Sequence, residues 1–285
     1  MLEIRIWDVQ HGNAVYIKTP NGKHIVQDLG IGCLKERLST FSPLWYLKYR
    51  QSIARLDQVI ITHPHKDHID DIGYLDILSP KLLVTPAHLT DKEIRDANKS
   101  EDAGIINKYL EIKKTYNQSV PVSENSSLPE NNGGVLIETF MPEACPRTNI
   151  NNHSIVTVIT YSSKKIIIPG DNEPDSWKEL LSINKFIQAI KNADILVASH
   201  HGKDSGYCSE LFEHFTPKLV VVSDGRFCDT SAADRYSAVA SGWKVHSRSS
   251  KDQIRKCLST RTDGVIVISI AMDNTSSPVL SVTID

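Results

Sequence analysis

The stretch Thr62-His63-Pro64-His65-Lys66-Asp67-His68 decides how the rest of this sequence is read. Directly before it, Asp57-Gln58-Val59-Ile60-Ile61 is a β-branched apolar run bounded by charge, the pattern of a buried strand. Pro64 blocks helical continuation where the backbone must turn. In an extended segment His63 and His65 point the same way, whereas the adjacent Asp67 and His68 diverge. One ion can take the first pair and a second ion the Asp67–His68 pair. Imidazole with carboxylate suits zinc, manganese or iron and leaves coordination positions open to water. The plain alternative is a polar loop with chance histidines. Three of the chain's eleven histidines in one strand-end cluster argue against it.

Four residues cannot hold two ions, so further ligands are expected downstream at strand ends. Ile155–Thr160 reads as a strand entered through Asn151-Asn152-His153, and Lys165–Ile168 as a strand closing on Gly170-Asp171. Asp194–Ser199 then delivers His200-His201-Gly202. Each apolar run ends in a potential ligand, as when a rigid sheet edge positions catalytic loops. Two simpler readings stand beside these: His153 as an ordinary loop histidine, and Asp171 as the cap of a helix starting near Pro174.

Together these elements resemble the metallo-β-lactamase superfamily of metallohydrolases, and more narrowly the metallohydrolase domain of the ComEC family of DNA-uptake channel proteins. The narrower likeness rests on Trp7–Ala14, Asp28-Leu29-Gly30, Asn152–Val156, Gly170–Glu173 and Thr262–Val265, and it runs from about Leu2 to Ile270. Asp70-Asp71 stand where that family has glycines, Gly12-Asn13 stands for its Gly-Asp, and residues 91–132 are longer and more polar. The resemblance implies a four-layer αββα sandwich of two mixed sheets flanked by helices. It also implies two divalent ions, zinc or manganese, with iron as a further possibility. His63, His65 and His153 would hold one ion; Asp67, His68 and one of His200 and His201 the other; Asp171 would bridge them. The working assignment takes His200 as ligand and His201 as the catalytic, substrate-facing group, with Asp67 guiding the metal-bound hydroxide that attacks phosphorus.

Bulk properties agree with a soluble globular protein. The 285 residues are 40% hydrophobic and 23% charged, with a net charge of −2 that exerts no global pull on nucleic acid or membrane. Five cysteines, odd in number and without a Cys-x-x-Cys pair, favour free thiols in a reducing compartment. Met1-Leu2-Glu3-Ile4-Arg5 lacks the apolar core of a signal peptide, and no run approaches the length of a membrane span. A cytoplasmic location with no membrane part follows as the expectation.

In chain order, residues 2–7, 13–19 and 23–28 read as strands, with a hairpin turn at Pro20-Asn21-Gly22. Leu34–Arg55 reads as helical, with basic residues interleaved with Phe41, Trp45, Tyr46 and Tyr49; that mixture can grip a phosphate backbone and stack bases, or be a solvated face over core aromatics. Ile69–Leu78 reads as a helix and Leu82–Val84 as a strand. Residues 91–134 form a polar excursion, ending in a Ser/Asn/Gly-rich run expected over the active-site face. One helix is expected between Asp171 and His200. Helices at 207–215, 231–241 and 251–258 then alternate with strands at 218–223, 243–246 and 264–270, within one domain over 1–285. Six cations between Lys244 and Arg261 could guide a polyanion or form a solvated helix face.

The functional expectation is a dinuclear-metal phosphodiesterase or nuclease acting on DNA, RNA or a nucleotide-like phosphodiester. Two alternatives are a hydrolase of another small ester, phosphocholine-type or lactone-type, and a metal-stabilised non-catalytic module of a multiprotein system.

Overall fold

Isoleucine and valine at alternating positions build this fold from its centre outward. In Lys164–Ile168, Ile166 and Ile168 point one way and Ile167 the other, and all three are buried. A strand with both faces covered belongs to an internal layer. The computed structural model describes residues 1–33, 40–225 and 229–284. It contains a nine-stranded mixed sheet in the spatial order Gln253–Arg255, Trp243–Ser247, Pro278–Ile284, Ile266–Met272, Leu2–Ile6, Val15–Lys18, His24–Gln27, Gln58–Ile60 and Leu82–Val84. A six-stranded mixed sheet runs Cys257–Ser259, Leu219–Val222, Ile195–Val197, Lys164–Ile168, Val156–Tyr161 and Leu136–Phe140.

The inner faces meet in one apolar cluster that joins Leu2, Ile4, Ile17 and Ile25 of the larger sheet to Ile159, Ile166, Ile195 and Val221 of the smaller. Outside the larger sheet, Val26 and Val59 pack with Leu44, Leu75 and Tyr109 of the covering helices. Outside the smaller, Val158, Ile167 and Leu196 pack with Trp177, Phe186 and Tyr236. Four layers result, helix–sheet–sheet–helix, as expected.

Several elements differ from expectation. Among the described residues of the helix read over Leu34–Arg55, Pro43–Tyr49 are helical, started by Ser42, whose Oγ accepts from Trp45 N at 3.0 Å. Thr40–Phe41 instead pairs with Gly32–Cys33. The start of that expected helix, Leu34–Ser39, lies outside the described residues. Ile69–Leu78 is a single α-turn, Lys66–Ile69, running into 3-10 helix over Asp70–Ile77. The segment before His200 holds two helices, Pro174–Leu181 and Asn184–Ile190, and 207–215 is a 3-10 turn, Ser209–Glu213.

The expected helix at 251–258 is two strands. Gln253–Arg255 pairs with Trp243–Val245, and Cys257–Ser259 pairs with Val220–Val222. Sheet pairing overrides a short, ambiguous local pattern here. Strands Leu136–Phe140 and Pro278–Ile284, not anticipated, complete one edge of the smaller sheet and widen the larger. The Ser/Asn/Gly-rich run does not cover the active-site face. It packs on the Thr19–Lys23 hairpin turn, with Asn21 Nδ2 donating to Asn131 O at 3.0 Å and Lys23 Nζ 3.1 Å from Glu124. Strand direction explains this: Leu2–Ile6 ends at the ligand loops, so the turn after Val15–Lys18 lies at the opposite end.

Candidate metal centre

Loops carrying polar side chains leave both sheets at one end: Asp28 after His24–Gln27, the histidine stretch after Gln58–Ile60, Asp171 after Lys164–Ile168, and His200-His201 after Ile195–Val197. Ile150–His153 enters Val156–Tyr161 at the same end, because that strand runs antiparallel to Lys164–Ile168. The loops are locked by backbone contact. Gly12, at φ +139°, lies so close to Asp67 that a Cβ there would sit 2.5 Å from the Asp67 carbonyl oxygen, which also accepts from Asn13 N at 3.3 Å. A side chain at position 12 would push the motif aside.

Among the described residues, one cluster of potential ligands converges: Asp67, His68, Asp171 and His201, with one donor atom each and all within 4.8 Å of one another. His201 Nε2 is 3.2 Å from Asp67 Oδ2 and 3.5 Å from Asp171 Oδ2, and His68 Nε2 is 3.2 Å from Asp171 Oδ1. Ligands about 2.0–2.1 Å from a tetrahedral ion stand about 3.3 Å apart, so this spacing suits a common cation. Beside the cluster, His63 Nε2 lies 3.9 Å from Asp171 Oδ2 and 3.0 Å from His65 Nδ1. Asp171 thus stands between the Asp67–His68–His201 side and the His63–His65 side.

The remaining ring atoms test whether a metal fits. The Nε2 atoms of His68, His153 and His201 are buried and carry no hydrogen bond. Their Nδ1 atoms are each engaged: with Asp28 Oδ2 at 2.8 Å for His68, Ser223 O at 2.9 Å for His201, and Pro142 O at 3.2 Å for His153. A histidine whose Nδ1 is tied to an oxygen and whose buried Nε2 makes no hydrogen bond has the arrangement of a metal ligand; at His68 and His201 that nitrogen faces a carboxylate oxygen across 3.2 Å. The donor set is that of a divalent metal centre.

The electrostatics agree. Burial alone would raise the Asp67 carboxyl, but His68 and His201 outweigh it and hold it well below the usual carboxylate range. Asp171 is likewise held well below against its burial, by His201 and His68. Burial opposes the charge on His201, yet Asp171 and Asp67 push it up to about 10. His68 is raised well above its ordinary value, against burial, by Asp171, Asp28 and Asp67. In the metal-free protein these two imidazolium charges compensate the carboxylates of Asp67 and Asp171.

His201, not His200, enters the converging cluster. Both bring Nε2 near Asp171 Oδ2, at 3.5 Å for His201, which alone of the two also reaches Asp67, at 3.2 Å. Both have left-handed backbone, at φ 54° and 49°. Such conformations in non-glycine residues cost on the order of 1 kcal/mol each and concentrate at functional sites. His200 Nε2 lies 3.7 Å from Asp171 Oδ2 and 3.1 Å from Lys203 Nζ, while its Nδ1 lies 3.0 Å from Ser205 Oγ and 3.3 Å from Glu173 Oε1. His153 is fully buried, and its Nδ1 also lies 2.9 Å from His88 Nε2.

Two site residues escape sequence reading. His11, given no role by the sequence reading, brings its Nε2 within 3.3 Å of Asp67 Oδ2 and its ring 5.1 Å from that of His201. Its place after the first strand, just before Gly12, is the signal that could have found it. Asp28, noted only within an Asp-x-Gly turn, accepts from Thr62 N at 2.7 Å, from Asn13 Nδ2 at 3.0 Å and from His68. Among the six cations between Lys244 and Arg261, Lys244 pairs with Asp252 at 3.1 Å, Arg255 with Asp263 at 3.1 Å, and Arg261 with Asp224 at 3.3 Å. Cys145, Cys208 and Cys257 are free thiols, and no helix among the described residues is long and apolar enough to cross a membrane.

Comparison with known proteins places this geometry. The sequence pattern of the metallo-β-lactamase superfamily matches residues 7–203. ComE operon protein 3 of Bacillus subtilis (strain 168) is 24% identical over 250 residues, covering 79% of this chain; the chain spans 28% of that relative's length. A solved structure of a mutant CmlA β-hydroxylase, an enzyme of Streptomyces venezuelae, covers 90% of this chain and 52% of its own at TM-score 0.50 and 11% identity. A long-form RNase Z from yeast covers 80% of this chain and 38% of its own at TM-score 0.44 and 14% identity. The chain belongs to the metallo-β-lactamase superfamily, a family of mostly metal-dependent hydrolases.

Proposed function

We propose that this protein is a dinuclear-metal phosphodiesterase acting on nucleic acid or a nucleotide-like phosphodiester. The observation that carries the reading is Asp171, a buried carboxylate that meets imidazoles of both proposed ligand groups, His63 of one and His68 and His201 of the other. One carboxylate between two imidazole groups suits a pair of ions, and paired ions suit in-line displacement at phosphorus. In this assignment His63, His65 and His153 serve one ion, Asp67, His68 and His201 the other, and Asp171 both. His201 therefore takes the ligand role expected of His200, and His200 becomes the substrate-facing group.

Divalent ions at these positions supply Lewis acidity toward a phosphoryl oxygen and acidify nearby water. The chain's own groups do the rest. Asp67, partly open to solvent, accepts a hydrogen bond from the entering water and fixes its approach. His200 and Lys203 present donors to a non-bridging phosphate oxygen, where negative charge grows as the bond to the leaving group lengthens. His11 stands at the open side of Asp67, close enough to meet the same substrate.

Hydrolysis of bis(p-nitrophenyl) phosphate and of single- and double-stranded DNA, with added manganese or zinc, tests this function. Turnover should be lost in both Asp67→Ala and His68→Ala. Wild-type rates in either variant, or metal binding without hydrolysis of any phosphodiester, would refute it; the latter result would favour another ester or a binding role.

A further inference from the structure

The helix Pro43–Tyr49 buries Leu44 and Leu47 and turns two large aromatic side chains outward. Trp45 is 38% exposed and Tyr49 56% exposed, and at i, i+4 spacing they share one face, with ring centroids 5.3 Å apart. The Arg50 guanidinium lies over the Trp45 ring, 5.6 Å from its centroid. From Thr40 to Leu56 the chain carries three cations, Lys48, Arg50 and Arg55, and no acid. The adjoining 3-10 segment adds Tyr74, 42% exposed. Neighbouring aromatic faces in water are costly to maintain, and their grouping beside the Arg50 guanidinium marks a surface made to be covered.

This surface is tied to the metal centre. Ser42 Oγ and Leu44 N, at the start of the helix, donate to the two oxygens of Asp71 at 2.6 and 2.8 Å. Asp71 N in turn bonds Leu29 O, and Leu29 N bonds the carbonyl of His68, both at 2.8 Å. The aromatic helix thus hangs on the segment that carries a proposed metal ligand.

We propose that Trp45, Tyr49 and Arg50 form a stacking platform for single-stranded nucleic acid, which holds a strand beside the centre. The observed chemistry selects this partner. Aromatic faces accept any unpaired base, and the cations meet the phosphate backbone without reading sequence. A duplex hides its base faces and cannot use the rings. The platform's role in turnover rests on the phosphodiesterase reading, whereas strand binding by the platform does not.

The test is fluorescence anisotropy of labelled twelve-residue dT and U oligonucleotides titrated with the full chain, against a twelve-base-pair DNA duplex. Bis(p-nitrophenyl) phosphate hydrolysis is measured in parallel. Single strands should bind more tightly than duplex. The double variant Trp45→Ala/Tyr49→Ala should weaken strand binding by tenfold or more, while Trp45→Phe keeps most of it. Arg50→Gln should lower the salt slope by about one. Hydrolysis of the small diester should be unchanged in all three variants. Oligonucleotide binding with no diester hydrolysis by the wild type would leave the platform standing and remove the function proposed above. Equal strand affinity in wild type and the double variant, equal affinity for duplex, or an oligomer that dissociates on Trp45→Ala without any oligonucleotide binding would each overturn the platform.

Discussion

The Asp28 carboxylate lies 2.8 Å from Nδ1 of His68, and neither side chain is exposed to solvent. Asp28 also receives the Thr62 amide at the root of the histidine loop and the Asn13 amide from the loop that braces Asp67. One carboxylate therefore fixes the tautomer and aim of a proposed ligand together with the loops around it. Asp28→Asn keeps the shape but replaces an acceptor by a donor. It should weaken metal binding by about 10–100-fold while the protein stays folded. Chelator competition measures this; unchanged affinity would mean that Asp28 is structural only.

Gly12→Ala tests the backbone contact behind Asp67. The added Cβ meets the Asp67 carbonyl oxygen at 2.5 Å, on a backbone at φ +139°. We expect a loss of stability on the order of 2 kcal/mol and a loss of metal retention larger than that of any exposed loop substitution. Thermal melting with and without added zinc separates the two effects. Gly22→Ala, where a Cβ meets nothing within 4 Å but φ is also positive, at +85°, serves as the control for backbone strain alone.

Metal uptake should release protons. Asp171 and Asp67 hold His201 protonated up to about pH 10, and with Asp28 they raise His68 well above its ordinary value; the two carboxylates are already ionised at neutral pH. Two histidines must therefore lose protons as metal enters, about two per chain at pH 7. Affinity should rise with pH across the neutral range. Titration calorimetry in buffers of different ionisation enthalpy counts the protons, and a buffer-independent heat would contradict the assignment.

Asp71 gives a pH signature from a residue that is not itself a proposed ligand. Burial pushes its carboxyl up to about 7 from an ordinary 3.8, even though it accepts hydrogen bonds from Ser42 and Leu44. A carboxyl raised in the folded state favours folding fully below the unfolded value, and that contribution fades as pH rises toward 7. Asp71→Asn should therefore gain stability relative to wild type between pH 4 and pH 8, by a few kcal/mol. Urea midpoints at the two pH values measure it; a constant difference would show that Asp71 does not titrate in that window.

Legibility in the sequence followed contiguity. His63, His65, Asp67 and His68 share one short loop, and Asp171 and the His200-His201 pair each close an apolar run, so strand ends marked them as candidates, with His200 taken for the ligand. Asp28 and His11 act through the meeting of loops far apart in the chain, and only the fold shows that their side chains reach His68 and Asp67. Which of His200 and His201 faces the cluster depends on two left-handed residues, and adjacency cannot reveal that. The strands were legible from β-branched runs such as Ile166–Ile168, and their arrangement as a sandwich from the family resemblance. Gln253–Arg255 and Cys257–Ser259 were misread as a helix because each is three residues long, too short for period two to declare itself, and Ile254 is 72% exposed.

Metal stoichiometry of the purified full chain, by mass spectrometry, tests the central claim most directly. The ligand assignment predicts about two divalent ions per chain in the wild type and loss of both, or nearly so, in Asp171→Ala, since that carboxylate serves both positions. One ion per chain, retained in His63→Ala and lost in His201→Ala, would reduce the centre to the Asp67–His68–Asp171–His201 cluster, and no bound metal would contradict the account outright.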